Sequence, residues 1–354
     1  IVVLSAVALA LSVAPSANAD NSRPPTVKEW SNQLAAPFSL AVDGNSRVLI
    51  ADGGTGVIGQ LTSDGSVRPL VSDVPGLAGL ATRGAWMAYG SSDEDGSTEP
   101  PVINSSGLNI RRPSGGTVYA DTHAYEYANN PDGGQMYGVT DPATCADPMS
   151  YPGLLDSHVY AVASWRGDWL VADAGANAIF RVTDKGRIST LAVLPPVPVT
   201  VTAEMVAEVG APDCYIGDTY WAEAVPTGVA IGRGGEIYVS TLPGAPGEAV
   251  SQGQIWKIDP RTGNAKEVAS GLSGPTSIAV SGSSIYAAEL FGGTVSVTRN
   301  GSTKTFVELP GALSVAASPN GTIWAATMAS EAGPGTIVSI SNRHVKVRGH
   351  YGHR

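Results

Sequence analysis

Cysteine is nearly absent from this chain, with two residues, Cys145 and Cys214, among 354. Two thiols cannot build a structural zinc site, which takes four closely spaced ligands. Neither has a His near it in sequence, which argues against a catalytic thiol, and an even pair in an oxidising compartment reads as a disulfide. Good helix formers such as Lys and Glu are scarce, and no long window carries an i, i+3, i+4 apolar stripe, so a helical body is excluded. No G-x-S-x-G elbow occurs, and no H-E-x-x-H, which removes the α/β-hydrolase nucleophile and the zincin site. Positive charge is also short. The net charge of −10 repels phosphate backbones, so nucleic acid is not an expected partner. Beyond the first segment no run approaches the roughly 20 apolar residues of a membrane helix.

That first segment is distinct. Ile1 to Leu11 is apolar except for Ser5, and a small-residue stretch follows, ending Ala17-Asn18-Ala19. An apolar core before an A-x-A site reads as a signal peptide at 1–19 cleaved after Ala19. It carries no Met or basic start, so the sequence is expected to begin inside the leader. Position 20 is Asp rather than the Cys of a lipoprotein. A secreted, extracellular and monomeric protein is expected.

Gly and Pro are abundant, at 43 and 25 residues, and they punctuate a repeat. Ser39–Val42, Val48–Asp52, Ile58–Leu61 and Val67–Val71 are short apolar or alternating segments separated by Gly-, Asn- or Asp-containing turns. That is a four-stranded antiparallel meander. Copies follow from Val159, Gly228, Ser277 and Leu313, the last ending with His344–Val347, and a stretched copy starts at Leu77. The shortest spacing between ends of second strands, 52 to 89, is 37 residues, near the roughly 40–45 of a propeller blade. Both faces of each unit are apolar, so the units must stack, and ring closure leaves only short sheet edges.

The expected fold is therefore all-β, a closed six-bladed β-propeller of four-stranded antiparallel blades. A leader covers 20–26 and the propeller 27–347, with long loops at 91–115, 130–155, 196–224 and 242–251. A basic, His-containing tail covers 348–354. Val27–Trp30 has no unit of its own and is expected to pair with the last blade.

The candidate chemistry lies in acids and loop aromatics. Asp52, Asp173 and Glu289 occupy equivalent positions in three units, so a ring would place them on one face. There they bind calcium through oxygen ligands or fix their own turns. Asp156, His158, Glu223, Tyr220 and Trp221 lie on or beside the loops 130–155 and 196–224 and are ligand-binding candidates. Glu126 and Asp132 are second-tier candidates. His158 precedes an inner strand and is expected to face the channel as a base or as a structural group. The two cysteines sit at matching offsets in the two loops, which predicts a Cys145–Cys214 bond tying them together. Gly54, Gly56 and Gly59 match a dinucleotide fingerprint, but strand character follows where a helix is required. Asp93-Glu94-Asp95-Gly96 with Glu99 lacks the rest of a calcium loop.

The motifs Ala124-Tyr-Glu126, Asn129-Asn-Pro-Asp-Gly133, Asp156-Ser157, Leu170-Val-Ala-Asp173-Ala-Gly175, Val225-Pro-Thr227, Ser240-Thr-Leu-Pro-Gly244 and Glu289-Leu-Phe-Gly-Gly293 resemble, in that order, the ScyD/ScyE family of secreted propellers common in actinobacteria and cyanobacteria. The resemblance implies export and an NHL-like propeller. It implies no reaction and no catalytic residue. The Ser91–Arg112 insertion and the tail depart from the family pattern.

Two functional expectations follow. The first is a non-catalytic extracellular binding protein for a small molecule, glycan or protein at the channel face. The second is a metal-dependent hydrolase, lactonase or lyase.

Overall fold

A computed structural model describes residues 24–95, 97, 102–245, 247 and 250–341. The signal peptide 1–19, the start of the leader at 20–23, His344, and the tail 348–354 with His350 and His353 lie outside the described residues.

The chain is all-β, built of four-stranded antiparallel sheets, consistent with a propeller. Strand β1 (Thr26–Leu34) comes first. The first sheet holds β2 (Pro37–Val42), β3 (Val48–Asp52), β4 (Val57–Leu61) and β5 (Val67–Val71). The second holds β6 (Ala78–Arg83), β7 (Trp86–Asp95), β8 (Val102–Arg111) and β9 (Thr117–Asp121). Helix α1 (Thr122–Asn129) and the hairpin β10 (Met136–Val139) and β11 (Met149–Pro152) follow. The third sheet holds β12 (Val159–Trp165), β13 (Asp168–Asp173), β14 (Ala178–Val182) and β15 (Ile188–Val193). Next come β16 (Val197–Thr200), α2 (Ala203–Val209) and β17 (Thr219–Ala222). The fourth sheet holds β18 (Pro226–Ile231), β19 (Ile237–Thr241), β20 (Gly253–Ile258) and β21 (Ala265–Leu272). The fifth holds β22 (Pro275–Ser281), β23 (Ser284–Glu289), β24 (Thr294–Arg299) and β25 (Ser302–Glu308). The sixth holds β26 (Ala312–Ala317), β27 (Ile323–Thr327), β28 (Gly335–Ser341) and, at its edge, β1.

The second strands β3 and β23 are buried along their whole length, because each sheet is covered on both faces. The two-residue period then serves two cores. Trp169, Val171 and Phe180 pack on Ala88, Leu108 and Ile110 of the second sheet. Leu170 and Ile179 face Val229, Ile237 and Val239 of the fourth. Outermost β5 has only one covered side and is largely exposed.

The first strands of the six sheets touch in the order β2, β6, β12, β18, β22, β26 and again β2. Buried hydroxyls tie several of them. Thr227 Oγ1 donates to the Pro275 carbonyl at 2.5 Å, Thr276 Oγ1 to Leu313 at 2.7 Å, and Ser314 Oγ to Pro37 at 2.7 Å.

Strand β1 pairs antiparallel with β28, as the isolated Val27–Trp30 segment predicts. It takes the outer position of the sixth sheet. The strand expected at His344–Val347 lies outside the described residues.

The insertions are not the plain loops the sequence reading expects. In 91–115, β7 and β8 run on as one long hairpin to Asp95 and Val102. The segments 130–155 and 196–224 combine into an accessory four-stranded sheet, in the order β11-β10-β17-β16. Its own small core includes Val139, Val199, Met205, Tyr215 and Tyr220. Each half is too short to be stable alone, and pairing across the two insertions supplies the missing strands.

Candidate functional site

Helix α1 begins where Asp121 caps it, its carboxylate accepting from Ala124 N at 2.8 Å. It ends at Asn130 in the left-handed conformation, φ 37°. The helical period puts Thr122 and Glu126 on the same buried face. Tyr125 fixes the helix from its other side, stacking edge-on against Phe180 at 5.3 Å and accepting from Thr190 N at 2.9 Å.

Under this helix lies a set of carboxylates drawn from four segments: Glu126 on α1, Asp132 after it, Asp156 and Asp173 flanking β12 and β13, and Glu223 after β17. Glu126, Asp132 and Asp173 are buried, while Asp156 and Glu223 are half-buried.

Asp173 is fully spent on its surroundings. Its Oδ1 accepts from His158 N at 2.7 Å and Ala176 N at 3.2 Å, and its Oδ2 from Ser157 Oγ at 2.8 Å. A buried hydroxyl series, Ser157, Thr122 and Ser106, continues from it to Val159 N.

Asp132 Oδ2 accepts from Tyr137 OH at 2.9 Å and Asn177 Nδ2 at 3.0 Å. Asn177 Oδ1 in turn accepts from Val225 N at 2.9 Å. One side chain thus joins the β13–β14 turn to both insertions. Val225, a β-branched residue at φ 48°, is strained there.

Two glycines permit this crowding. A Cβ on Gly175 would stand 2.7 Å from Asp156 Cγ, and one on Gly153 would stand 2.3 Å from Asp132 Oδ1.

Both carboxylate oxygens of Glu126, Asp132 Oδ1 and Asp156 Oδ1 are buried without a hydrogen-bond partner. Burial, followed by the charges of Asp173, Asp132 and Asp156, pushes the Glu126 carboxyl up to about 8. Burial also lifts Asp132, against its bonds from Asn177 and Tyr137. It lifts Asp173 despite three hydrogen bonds that favour the anion. Glu223 rises through burial and the charges of Asp132 and Asp156. Burial raises the Tyr137, Tyr151 and Tyr220 hydroxyls as well, so they stay neutral donors.

The candidates read from sequence sort clearly against this geometry. Asp52, Asp173 and Glu289 do not converge as a cation set. Asp52 accepts from Ala35 N and Ala36 N at 3.1 and 2.7 Å, and Glu289 from Ser273 N at 2.7 Å. Their shared position in the repeat fixes the loop entering each inner strand. Among the described residues no three His, Cys, Asp or Glu side chains are placed to hold a metal ion.

His158 is half-buried, its Nδ1 3.5 Å from Ser92 Oγ. Tyr160 beside it meets Phe38 edge-on at 5.9 Å, and with Ala174 and Val225 they fill the space between the first, third and fourth sheets. On β17 the strand alternation turns Tyr220 into the accessory core and Trp221 outward, so the two do not form one platform. Asp156 and Glu223 do share the cluster with Glu126 and Asp132.

Asn177 and the Ser157–Thr122–Ser106 series escape sequence reasoning, because polar residues in a turn and on strands look like ordinary surface. The only signal is that Asn177 follows the Asp173-Ala-Gly175 motif.

The expected bond Cys145–Cys214 is present, with a Cα–Cα distance of 5.2 Å, and it ties the two insertions together. It fits an extracellular protein. Among the described residues no helix is long and apolar enough to cross a membrane.

Fold and cluster together define an all-β, propeller-type protein with a buried carboxylate site. Solved structures of the same fold extend over nearly the whole chain. A Thermus thermophilus oxidoreductase described as a glucose dehydrogenase is 15% identical, covering 90% of this chain and 100% of its own, with a TM-score of 0.58. The PQQ-bound aldose sugar dehydrogenase of Streptomyces coelicolor is 14% identical, covering 90% and 98%, with a TM-score of 0.55. A gluconolactonase of Xanthomonas campestris is 12% identical, covering 89% of each chain, with a TM-score of 0.55. No family model matches the chain, and no curated protein does. The motif resemblance to the ScyD/ScyE family therefore has no counterpart in these comparisons.

Proposed function

We propose that the chain is an exported, closed six-bladed β-propeller that acts as a lactonase-type hydrolase at the carboxylate cluster. The cyclic contacts of the first strands of the six sheets, and the joining of β1 to β28, support the ring. The apolar leader, the Ala17-Asn18-Ala19 site, the disulfide and the ScyD/ScyE-like motifs support export. An exported protein whose mass begins at Asp20 is the expected product.

One observation carries the enzymatic reading. Carboxyls from distant segments meet with oxygens of Glu126, Asp132 and Asp156 left unpartnered, and burial with mutual charge lifts Glu126, to about 8, and Glu223. Carboxyls whose environments separate their proton affinities supply both an acid and a base. Asp156 and Glu223, the half-buried members, are the ones assigned to the substrate. Asp156 takes a proton from the attacking water as its oxygen adds to the ester carbon. The ring C–O bond breaks, and Glu223, lifted by burial, gives its proton to the leaving oxygen. Glu126 touches no substrate and keeps the floor of the site neutral.

This reading reverses the order of the two sequence expectations, which set non-catalytic binding first. The solved structures of like fold are enzymes, a gluconolactonase among them. A small polar lactone is accordingly the substrate class.

A pH-stat assay on glucono-1,5-lactone and a panel of aliphatic and aromatic lactones tests it. Turnover by the native chain, reduced about a hundredfold or more in Glu223→Gln and Asp156→Asn, is expected. No turnover on any lactone, or unchanged rates in both variants, overturns it.

A further inference from the structure

Between the fourth and fifth sheets an apolar core of Ile255, Leu272, Ile278 and Ala287 fills part of the seam, and another part is polar. Strand β24 alternates Thr294, Ser296 and Thr298 with Val295 and Val297. The valines join the core shared with the sixth sheet. The hydroxyl residues take the other face, and register places Thr305 opposite Ser296 and Thr303 opposite Thr298.

Side chains this short leave a cavity of about 550 Å³, lined by Thr294, Ser296, Thr303, Thr305, Glu267 and Glu289. A second cavity of about 400 Å³ shares Val268 and Gly301 with it and reaches Tyr238 and Lys257. Where the second sheet meets the third, by contrast, Trp169, Phe180, Leu108 and Ile110 fill the space.

Ser296 is 2% exposed, and its hydroxyl, on the cavity wall, has no partner. A buried hydroxyl without a partner marks a place where a polar group is missing. Beside the cavity in sequence, Phe291 is 47% exposed. It lies over Gly274, where a Cβ would stand 2.4 Å from its ring, and it precedes Gly292, which lines the cavity.

We propose that this seam binds a neutral saccharide. An exposed ring stacks on the apolar face of a sugar. Hydroxyls both donate and accept, and carboxylates accept, which matches the dense hydroxyls of the ligand. Two glutamates against one lysine, Lys304, leave the lining net acidic, which disfavours anions, and no apolar ligand gains by entering a wall of Ser and Thr. The inference stands independently of the proposed lactonase site.

Titration calorimetry of the full chain with maltotetraose, cellotetraose and chitotetraose tests it. At least one is expected to bind with a dissociation constant of about 1 mM or tighter. Phe291→Ala or Ser296→Val should weaken that binding about tenfold, or 1.4 kcal/mol. The surface change at Phe291 keeps the test open if Ser296→Val fails to fold. Three results would overturn the proposal: no binding of any of the three, binding undiminished in both variants, or a raised Tm in Ser296→Val with no saccharide held by the native chain. The last would mark the gap as merely hydrated.

Discussion

Glu126 sets the behaviour of the cluster at the residue scale. Its carboxyl is lifted from 4.5 to about 8, so between those values the folded chain holds a proton that the unfolded chain has released. Stability from this group is therefore lost as pH rises through that window, and the loss is complete above it. Glu126→Gln removes the titration. Its Tm should match the native chain's at pH 5 and exceed it at pH 9, where the variant is more stable by on the order of a few kcal/mol. Equal differences at both pH values, read by calorimetry, would contradict the assignment. Gly175 shows the same crowding from the backbone side. Gly175→Ala drives a methyl against Asp156 and Ser157 N, and it should destabilise by roughly 1–3 kcal/mol in chemical denaturation. These acids were legible in the sequence as loop carboxylates. Their mutual burial was not, because no local pattern shows that Glu126 and Asp173 face each other.

The accessory sheet is the clearest case at the element scale. Its strands come from two insertions, and the Cys145–Cys214 bond spans 69 positions between them. Paired replacement by serine should cost about 2–4 kcal/mol and raise proteolysis within 130–155 and 196–224 first. Unchanged stability would show that strand pairing alone holds the sheet. The sequence announced this covalent tie through matching cysteine offsets. It held little sign of β10, β11, β16 and β17, which are four residues each and rely on pairing across the two insertions. The two aromatic ligand-binding candidates expected there are likewise split by strand alternation into an inward Tyr220 and an outward Trp221.

Strand β1 links the scales of element and molecule. Trp30 stacks on Trp324 at 5.6 Å and donates to Ser339 Oγ at 2.8 Å, a contact across 309 positions. If the six sheets form one ring, removing residues 1–34 exposes the edge of β28 and loosens the whole. The shortened chain should unfold as a single transition at lower Tm. A local melt confined to the sixth sheet, seen by hydrogen exchange, would argue for an open stack.

The chain's own pattern determined the four-stranded unit, its repetition and the tie between its two cysteines. Period-two alternation, turn residues and paired cysteines are local facts, and a sheet buried on both faces has few ways to satisfy them. Only the tertiary structure decided which carboxylates meet, that Asp52 and Glu289 serve backbone amides, and that the insertions pair with each other. Those outcomes depend on distances between segments far apart in the chain, and on which buried charge finds a hydrogen-bond donor, neither of which is written in any one stretch.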